Sequence, residues 1–232
     1  MRNEKTVAVI IPAFNEEKSI AKVISAIPEW VDDVLVVDNG STDATIQKAE
    51  HAGATVITEP QKGYGAACYR GIEKMQGADI IVFLDADYSD HPEEMHRLVD
   101  PITEGRVQMV IGSRALGKVE RGALTPQQRY GNALACFLIK LFWGKSYTDL
   151  GPFRAISSKA LRQVNMQDRG FGWTVEMQIR AIQEDMNVLE VPVPYRKRIG
   201  KSKISGTVRG TIMAGTVILK TIFVAALKKK NS

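Results

Sequence analysis

Up to about residue 112 the chain alternates short β-rich runs with stretches whose apolar residues recur every 3.6 positions, joined by short links. The β-rich runs are residues 6–11, 33–37, 55–58, 79–84 and 108–111, and the helical stretches lie near 16–27, 43–52, 64–75 and 92–104. A helix between successive strands favours parallel neighbours over hairpins, so the pattern predicts an α/β fold with a mostly parallel sheet covered on both faces. Sheets of that kind bind ligands outside the carboxyl ends of their strands, where the strand order reverses. At those ends this chain collects acidic and turn-forming residues. Pro12-Ala13-Phe14-Asn15-Glu16-Glu17 follows the first run, Asp38-Asn39-Gly40-Ser41-Thr42-Asp43 the second and Asp85-Ala86-Asp87 the fourth.

A length of 232 residues, 44% of them hydrophobic and 25% charged, excludes collagen-like, disordered and disulfide-scaffold chains and fits one compact core. The apolar run 7–14 is too short to span a membrane. Asn15-Glu16-Glu17 follows it in place of a small-residue cleavage site, so it reads as a buried strand and not as a signal peptide. Cys68 and Cys136 form no CxxC pair and read as reduced thiols of a cytosolic protein. The net charge of +5 is unevenly placed: all 26 acidic but only 21 of the 31 basic side chains precede residue 191. A tail this one-sided suits an anionic partner, whether phosphate groups, nucleic acid or an anionic bilayer, unless it serves solubility alone.

The rim segments differ in how much they imply. A tight turn and helix cap would explain residues 39–43 without any ligand. Lys62-Gly63-Tyr64-Gly65 is a glycine turn before a helix, whose amides together with Lys62 would suit a phosphate, although such loops are common. Asp85-Ala86-Asp87 is more specific. Two carboxylates at i and i+2 after an apolar strand point the same way and repel unless a cation neutralises them, and their hard oxygens suit Mg²⁺ or Mn²⁺.

The ordered set Pro12-Ala13-Phe14-Asn15-Glu16, Asp38-Asn39-Gly40-Ser41-Thr42-Asp43, Lys62-Gly63-Tyr64-Gly65, Asp85-Ala86-Asp87 and Gly112-Ser113-Arg114 resembles the inverting family 2 glycosyltransferases of GT-A fold. Thr148-Asp149-Leu150-Gly151-Pro152-Phe153-Arg154, Trp173-Thr174-Val175-Glu176-Met177, Glu190-Val191-Pro192-Val193-Pro194-Tyr195 and Gly200-Lys201-Ser202-Lys203-Ile204-Ser205 resemble its polyprenyl-phosphate (dolichyl-phosphate) sugar synthase branch. The resemblance covers roughly residues 5–206. It implies a metal-dependent transfer of a sugar from a UDP- or GDP-linked donor to a polyprenyl phosphate at the cytoplasmic face of the cell membrane. Pro12, Phe14, Glu16 and Asp38 would surround the nucleoside, with Asp38 near the base, and Lys62 and Gly63 would flank the nucleotide. Asp85, Ala86 and Asp87 would form the DxD stretch, its two acids on the metal. Arg114 would sit near the donor phosphates or sugar. Asp149, Arg154 and Glu176 would line the sugar and acceptor side, and Arg198, Lys201 and Lys203 would form a loop over the phosphates. Mannosyl members of the branch carry Leu-Gln-His-Pro after the acid pair, where Tyr88-Ser89-Asp90-His91-Pro92 stands here, so the sugar stays open.

Residues 210–227 are apolar apart from threonines and Lys220, and Lys228-Lys229-Lys230 follows. As a helix they would extend about 27 Å, close to the hydrocarbon thickness. Lys220 near the middle would cost roughly 2.5–3.5 kcal/mol in a spanning helix, which favours lying in the interface with the lysine snorkelling. Ile212, Ile218, Leu219, Ile222, Phe223 and Ala226 would share one arc. Residues 134–143, with Phe137, Lys140, Phe142 and Trp143, would dip into the same surface. An ordinary core or dimer helix is the alternative for both. The sequence thus divides into a GT-A domain, residues 1–206, and a basic, apolar C-terminal helix, residues 207–232. The basic tail is assigned to phosphates and membrane, not nucleic acid; a homo-oligomer is left open, as are a soluble hydroxyl acceptor and a non-catalytic nucleotide-binding module.

Overall fold

The computed structural model of the chain describes residues 1–200 and 208–230. Lys201 and Lys203 lie outside the described residues, as do the side chains of Ile212, Lys229 and Lys230. The strands are β1 (Val7–Ala13), β2 (Asp33–Asp38), β3 (Thr55–Thr58), β4 (Ile80–Phe83), β5 (Met109–Ser113), β6 (Arg154–Ser157) and β7 (Val188–Pro192). The helices are α1 (Ile20–Ser25), α2 (Thr45–His51), α3 (Tyr64–Lys74), α4 (His96–Thr103), α5 (Pro126–Trp143), α6 (Ser158–Val164), α7 (Trp173–Gln183) and α8 (Val208–Lys230), with a 3₁₀ turn at Pro92–Met95.

The strands form one sheet in the order β3-β2-β1-β4-β6-β5-β7. Every pairing is parallel except those of β6, which runs antiparallel between β4 and β5. The expected mostly parallel sheet is therefore present. Its order reverses at β1: the chain steps outward to β2 and β3, then returns to pair β4 on the other side of β1. The register aligns Ala13 with Asp38 and Ile10 with Phe83, so the residues that follow β1, β2 and β4 emerge together at the switch point.

Side-chain alternation along the strands builds two cores. Val7, Val9 and Ile11 of β1 pack with Val36, Ile80 and Val82 against α1 and α4; Ala8 and Ile10 pack with Leu35, Ile81 and Phe83 against α3, α6 and α7. A third cluster joins Ala135, Cys136 and Ile139 of α5 to Val175 and Ile179 of α7 and to Ile222 of α8. One side of α8 is thus a packed helix face. Met213, Phe223, Val224 and Leu227 are exposed, which splits the predicted arc: Ile222 is buried while Phe223 faces outward, its ring edge against Phe142. Among the described residues, no helix is long and apolar enough to cross a membrane.

The start of α3 is pinned to the loop at residues 168–170. The Gly65 and Ala66 amides donate to the carbonyls of Gly170 and Arg169, and a Cβ on Gly63 would lie 2.1 Å from the Arg169 carbonyl oxygen. Gly63 also has φ +146°, so both sterics and backbone conformation require glycine there. Gly63→Ala should lower the unfolding free energy by about 1–3 kcal/mol. Gly131→Ala, in α5 with open space around it, should raise it by about 0.5–1 kcal/mol. Urea denaturation of the two variants checks this, and equal shifts would contradict it.

Candidate active site

The switch point opens into a cleft of about 310 Å³ lined by Pro12, Ala13, Phe14 and Glu16 from the end of β1, Lys62, Gly63 and Tyr64 at the start of α3, and Asp85, Ala86 and Asp87 beyond β4. Asn39, Phe171 and Arg198 complete the wall. Lys62 reaches over the Phe14 ring, its Nζ 5.8 Å from the ring centroid, so a cation and an aromatic face share one side of the cleft.

The rim loops are cross-braced by their own polar side chains. Asn15 Oδ1 accepts from the Thr42 amide at 2.7 Å while the Asn15 amide donates to Ser41 Oγ at 2.8 Å, and the Glu16 amide donates to Thr45 Oγ1. Asn39 donates to the carbonyls of Glu59 and Gln61 and accepts from the Gly63 amide, which fixes the loop bearing Lys62. These bonds correct one expectation. The Gly63, Gly65 and Ala66 amides, read as phosphate donors, are all taken by protein acceptors. Lys62 is what this loop presents to the cleft. Asp38 likewise turns away from the lining: its buried carboxylate accepts from the Gly40 and Ser41 amides and holds the turn after β2.

Asp85 and Asp87 leave β4 together. Burial, and then the charge of Asp87, push the Asp85 carboxyl up to about 7, against the pull of Arg198. Asp87, only 3% exposed, accepts from the Ser89 amide and hydroxyl on Oδ1 and from the Arg198 guanidinium on Oδ2. Asp90, absent from the sequence expectations, is buried beside them; burial and the charges of Asp85 and Asp87 hold its carboxyl well above the usual carboxylate range. Two hard carboxylates close enough to raise one pKa fit a divalent cation such as Mg²⁺ or Mn²⁺. Among the described residues, no cluster of three or more His, Cys, Asp or Glu could hold a metal.

The remaining predicted residues lie beside the cleft rather than in its lining. Asp149, 1% exposed, forms a bidentate pair with Arg114 at 2.7 and 2.8 Å and also accepts from the Arg114 amide. Although burial works against it, that carboxylate holds the Arg114 pKa above its ordinary value. Arg154 is wholly buried and donates to the carbonyls of Leu150, Gly151 and Thr174; desolvation lowers its pKa to about 10. It braces the core. Glu176 accepts from the amides of Gln167 and Asp168 and from Arg180 at 2.7 Å, and it faces a separate cavity between α7 and α8. Sequence reasoning missed Phe171 and Tyr64 as cleft walls and Arg196 as a brace. The Arg196 guanidinium lies 3.5 Å from the Tyr88 ring centroid and donates to the Tyr88 and Asp90 carbonyls.

The profile of Glycosyl transferase family 2 matches residues 8–164. An uncharacterized glycosyltransferase of Mycobacterium tuberculosis is 34% identical over 210 residues, covering 90% of this chain and 94% of its own. The undecaprenyl-phosphate mannosyltransferase of Micrococcus luteus is 32% identical, covering 88% of this chain and 89% of its own. Among solved structures, the glucosyl-3-phosphoglycerate synthase of M. tuberculosis in complex with Mn²⁺, UDP-glucose and phosphoglyceric acid superposes with a TM-score of 0.78 at 23% identity, over 96% of this chain and 80% of that one.

A half-buried acid with a raised pKa makes stability depend on pH in a defined direction. Between about pH 4 and 7 the folded protein holds a proton on Asp85 that the unfolded chain has lost, so stability falls as pH rises through that window. Asp85→Asn removes the penalty and should raise the melting temperature at pH 8 by about 2–4 °C, with little change at pH 4. Thermal melts in a chelator at the two pH values check this. A drop at pH 8 would show that the ionised carboxylate is stabilised by its surroundings.

Proposed function

The chain belongs to glycosyl transferase family 2, and from that premise we propose that it moves a sugar from a UDP- or GDP-linked donor onto a polyprenyl phosphate at the cytoplasmic face of the membrane. Pro12, Phe14 and Glu16 hold the nucleoside, Lys62 flanks the nucleotide, and Asp85 and Asp87 hold the metal. That metal, Mg²⁺ or Mn²⁺, supplies positive charge to the departing diphosphate when bound. A phosphate oxygen of the acceptor attacks the anomeric carbon from the face opposite the diphosphate. One C–O bond forms as the other breaks, the electron pair leaves on the nucleoside diphosphate, and the anomeric centre inverts.

The observation that carries the acceptor assignment is the state of the two carboxylates nearest in role to a general base. Asp149 is locked to Arg114, and Glu176 is locked to Arg180 and two backbone amides. A hydroxyl acceptor needs a base able to take its proton; a phosphate monoester with a second pKa near 6 is already ionised at neutral pH. The relative that acts on undecaprenyl phosphate supports the same reading. The neighbour in complex with phosphoglyceric acid keeps the soluble acceptor as its rival.

The surface supports a membrane location. Tyr130, Leu134, Phe137 and Leu141 recur at helical spacing along α5 and are all exposed, as is Lys140; Phe223, Leu227 and Lys220 are exposed on α8, which packs against α5. Apolar side chains flanked by lysines suit the interface of an anionic bilayer. In this reading residues 1–206 are the catalytic domain and residues 207–232 a helix that both packs on it and meets the lipid.

Two experiments test the reading. With saturating donor, Mn²⁺ and a polyprenyl phosphate, kcat against pH should fall on the acid side with the acceptor's own titration near pH 6, in wild type and Glu176→Gln alike. Loss of that limb in the variant, with a deficit of about 10³-fold or more, would identify Glu176 as a base and the acceptor as a hydroxyl. The double variant Phe137→Glu/Leu141→Glu should cut binding to anionic vesicles by about 100-fold in sedimentation, since each side chain contributes roughly 1.5–3 kcal/mol when buried. Unchanged sedimentation would remove α5 from the membrane face.

A further inference from the structure

We propose that Arg198 is a built-in counter-cation for Asp87, exchanged for the metal ion when the donor binds and thereby released toward the donor's diphosphate. This rests on the reading that Asp85 and Asp87 hold the metal. Both oxygens of Asp87 are engaged within the protein: Oδ1 by the Ser89 amide and hydroxyl, Oδ2 by Arg198. A guanidinium and a divalent cation held against the same Oδ2 repel each other, so metal binding at Asp87 drives Arg198 away. Of the other arginines near the acids, Arg114 is held by Asp149 and Arg196 by the Tyr88 and Asp90 carbonyls, which leaves Arg198 as the mobile countercharge.

The backbone around Arg198 is built to stay while its side chain leaves. The Ile199 amide donates to the Asp87 carbonyl at 2.9 Å and the Arg196 amide to the Ser89 carbonyl at 3.0 Å, so the segment is bonded to the acid loop on both sides of Arg198. The Arg196 guanidinium adds bonds to the Tyr88 and Asp90 carbonyls. Arg198 itself lines the cleft, and its Nε is buried without a hydrogen-bond partner among the described residues. One donor of the fork is therefore unused while Arg198 sits on Asp87, and guanidinium groups bind phosphate through paired donors. Moved off Asp87, the fork gains a phosphate in exchange for a carboxylate.

The consequence is a coupling between ligands. Metal alone must displace Arg198 with nothing to receive it, and nucleotide alone finds Arg198 still held on Asp87 and no cation beside Asp85; together each removes the other's obstacle. Calorimetry with Mn²⁺ alone, UDP alone and both separates these cases in wild type, Arg198→Gln and Arg198→Lys, with thermal melts confirming that each variant is folded. Arg198→Gln should bind Mn²⁺ alone about tenfold more tightly than wild type, because its competitor is gone, and should bind UDP in saturating Mn²⁺ about tenfold more weakly. Arg198→Lys, which keeps the charge, should bind Mn²⁺ alone as wild type does. Mn²⁺ affinity that is unchanged or weaker in Arg198→Gln would overturn the exchange while leaving the metal site standing. Absence of Mn²⁺ binding from wild type and both variants, with or without UDP, would overturn the metal site and the exchange with it.

Discussion

Two carboxylates at the end of a central strand are the constraint to which much of this site answers. Asp85, half-buried, and Asp87, buried, emerge together from β4 at the cleft, and desolvation with the neighbouring charge pushes the Asp85 carboxyl up to about 7. The surroundings answer that repulsion in three ways. Ser89 donates twice to Asp87, Arg198 supplies a positive charge, and the Asp90 carboxyl is held well above the usual carboxylate range. The segment that carries Arg198 is bonded to the same loop by backbone and by Arg196, so the backbone under the countercharge is fixed to the acids while, among the described residues, its side chain is held by Asp87 alone. A site of this kind is under electrostatic tension that a divalent cation and a diphosphate would relieve together.

The sheet explains why that unit faces a nucleotide-sized cleft. The reversal of strand order at β1 brings the residues after β1, β2 and β4 to one edge, and the loop at 168–172 closes the remaining side by packing on Gly63 and Gly65. Phe171 from that loop and Phe14 from β1 supply apolar walls, while Lys62 and Arg198 supply cations. The chemistry is distributed accordingly: flat apolar surfaces for a base and sugar, and positive charge for phosphates.

The strands up to β5 were legible because each is a short apolar run bounded by turn residues, and alternation alone assigns its two faces. β6 was not, because it is four residues long, opens on Arg154, and inserts antiparallel between strands far from it in sequence. The acid pair was legible from its spacing. The roles of Asp38, Asp149, Arg154 and Glu176 were less so, since sequence reveals a charged residue but not its partner. In the fold those partners are backbone amides, arginines and carbonyls. Asn39 illustrates the converse. Its turn chemistry was visible, but its reach to Glu59, Gln61 and Gly63, which places Lys62, depends on loops that meet only in three dimensions.

In the proposed reading Asp87 binds the metal through which the donor is held. Calorimetric titration of UDP into wild type and Asp87→Asn, with and without Mn²⁺, separates that role from a structural one. Mn²⁺ should tighten UDP binding to wild type and have little effect on a variant that melts cooperatively, because this carboxylate stands on the rim of the sheet and outside the hydrophobic core. Equal enhancement by Mn²⁺ in a folded Asp87→Asn protein would contradict it.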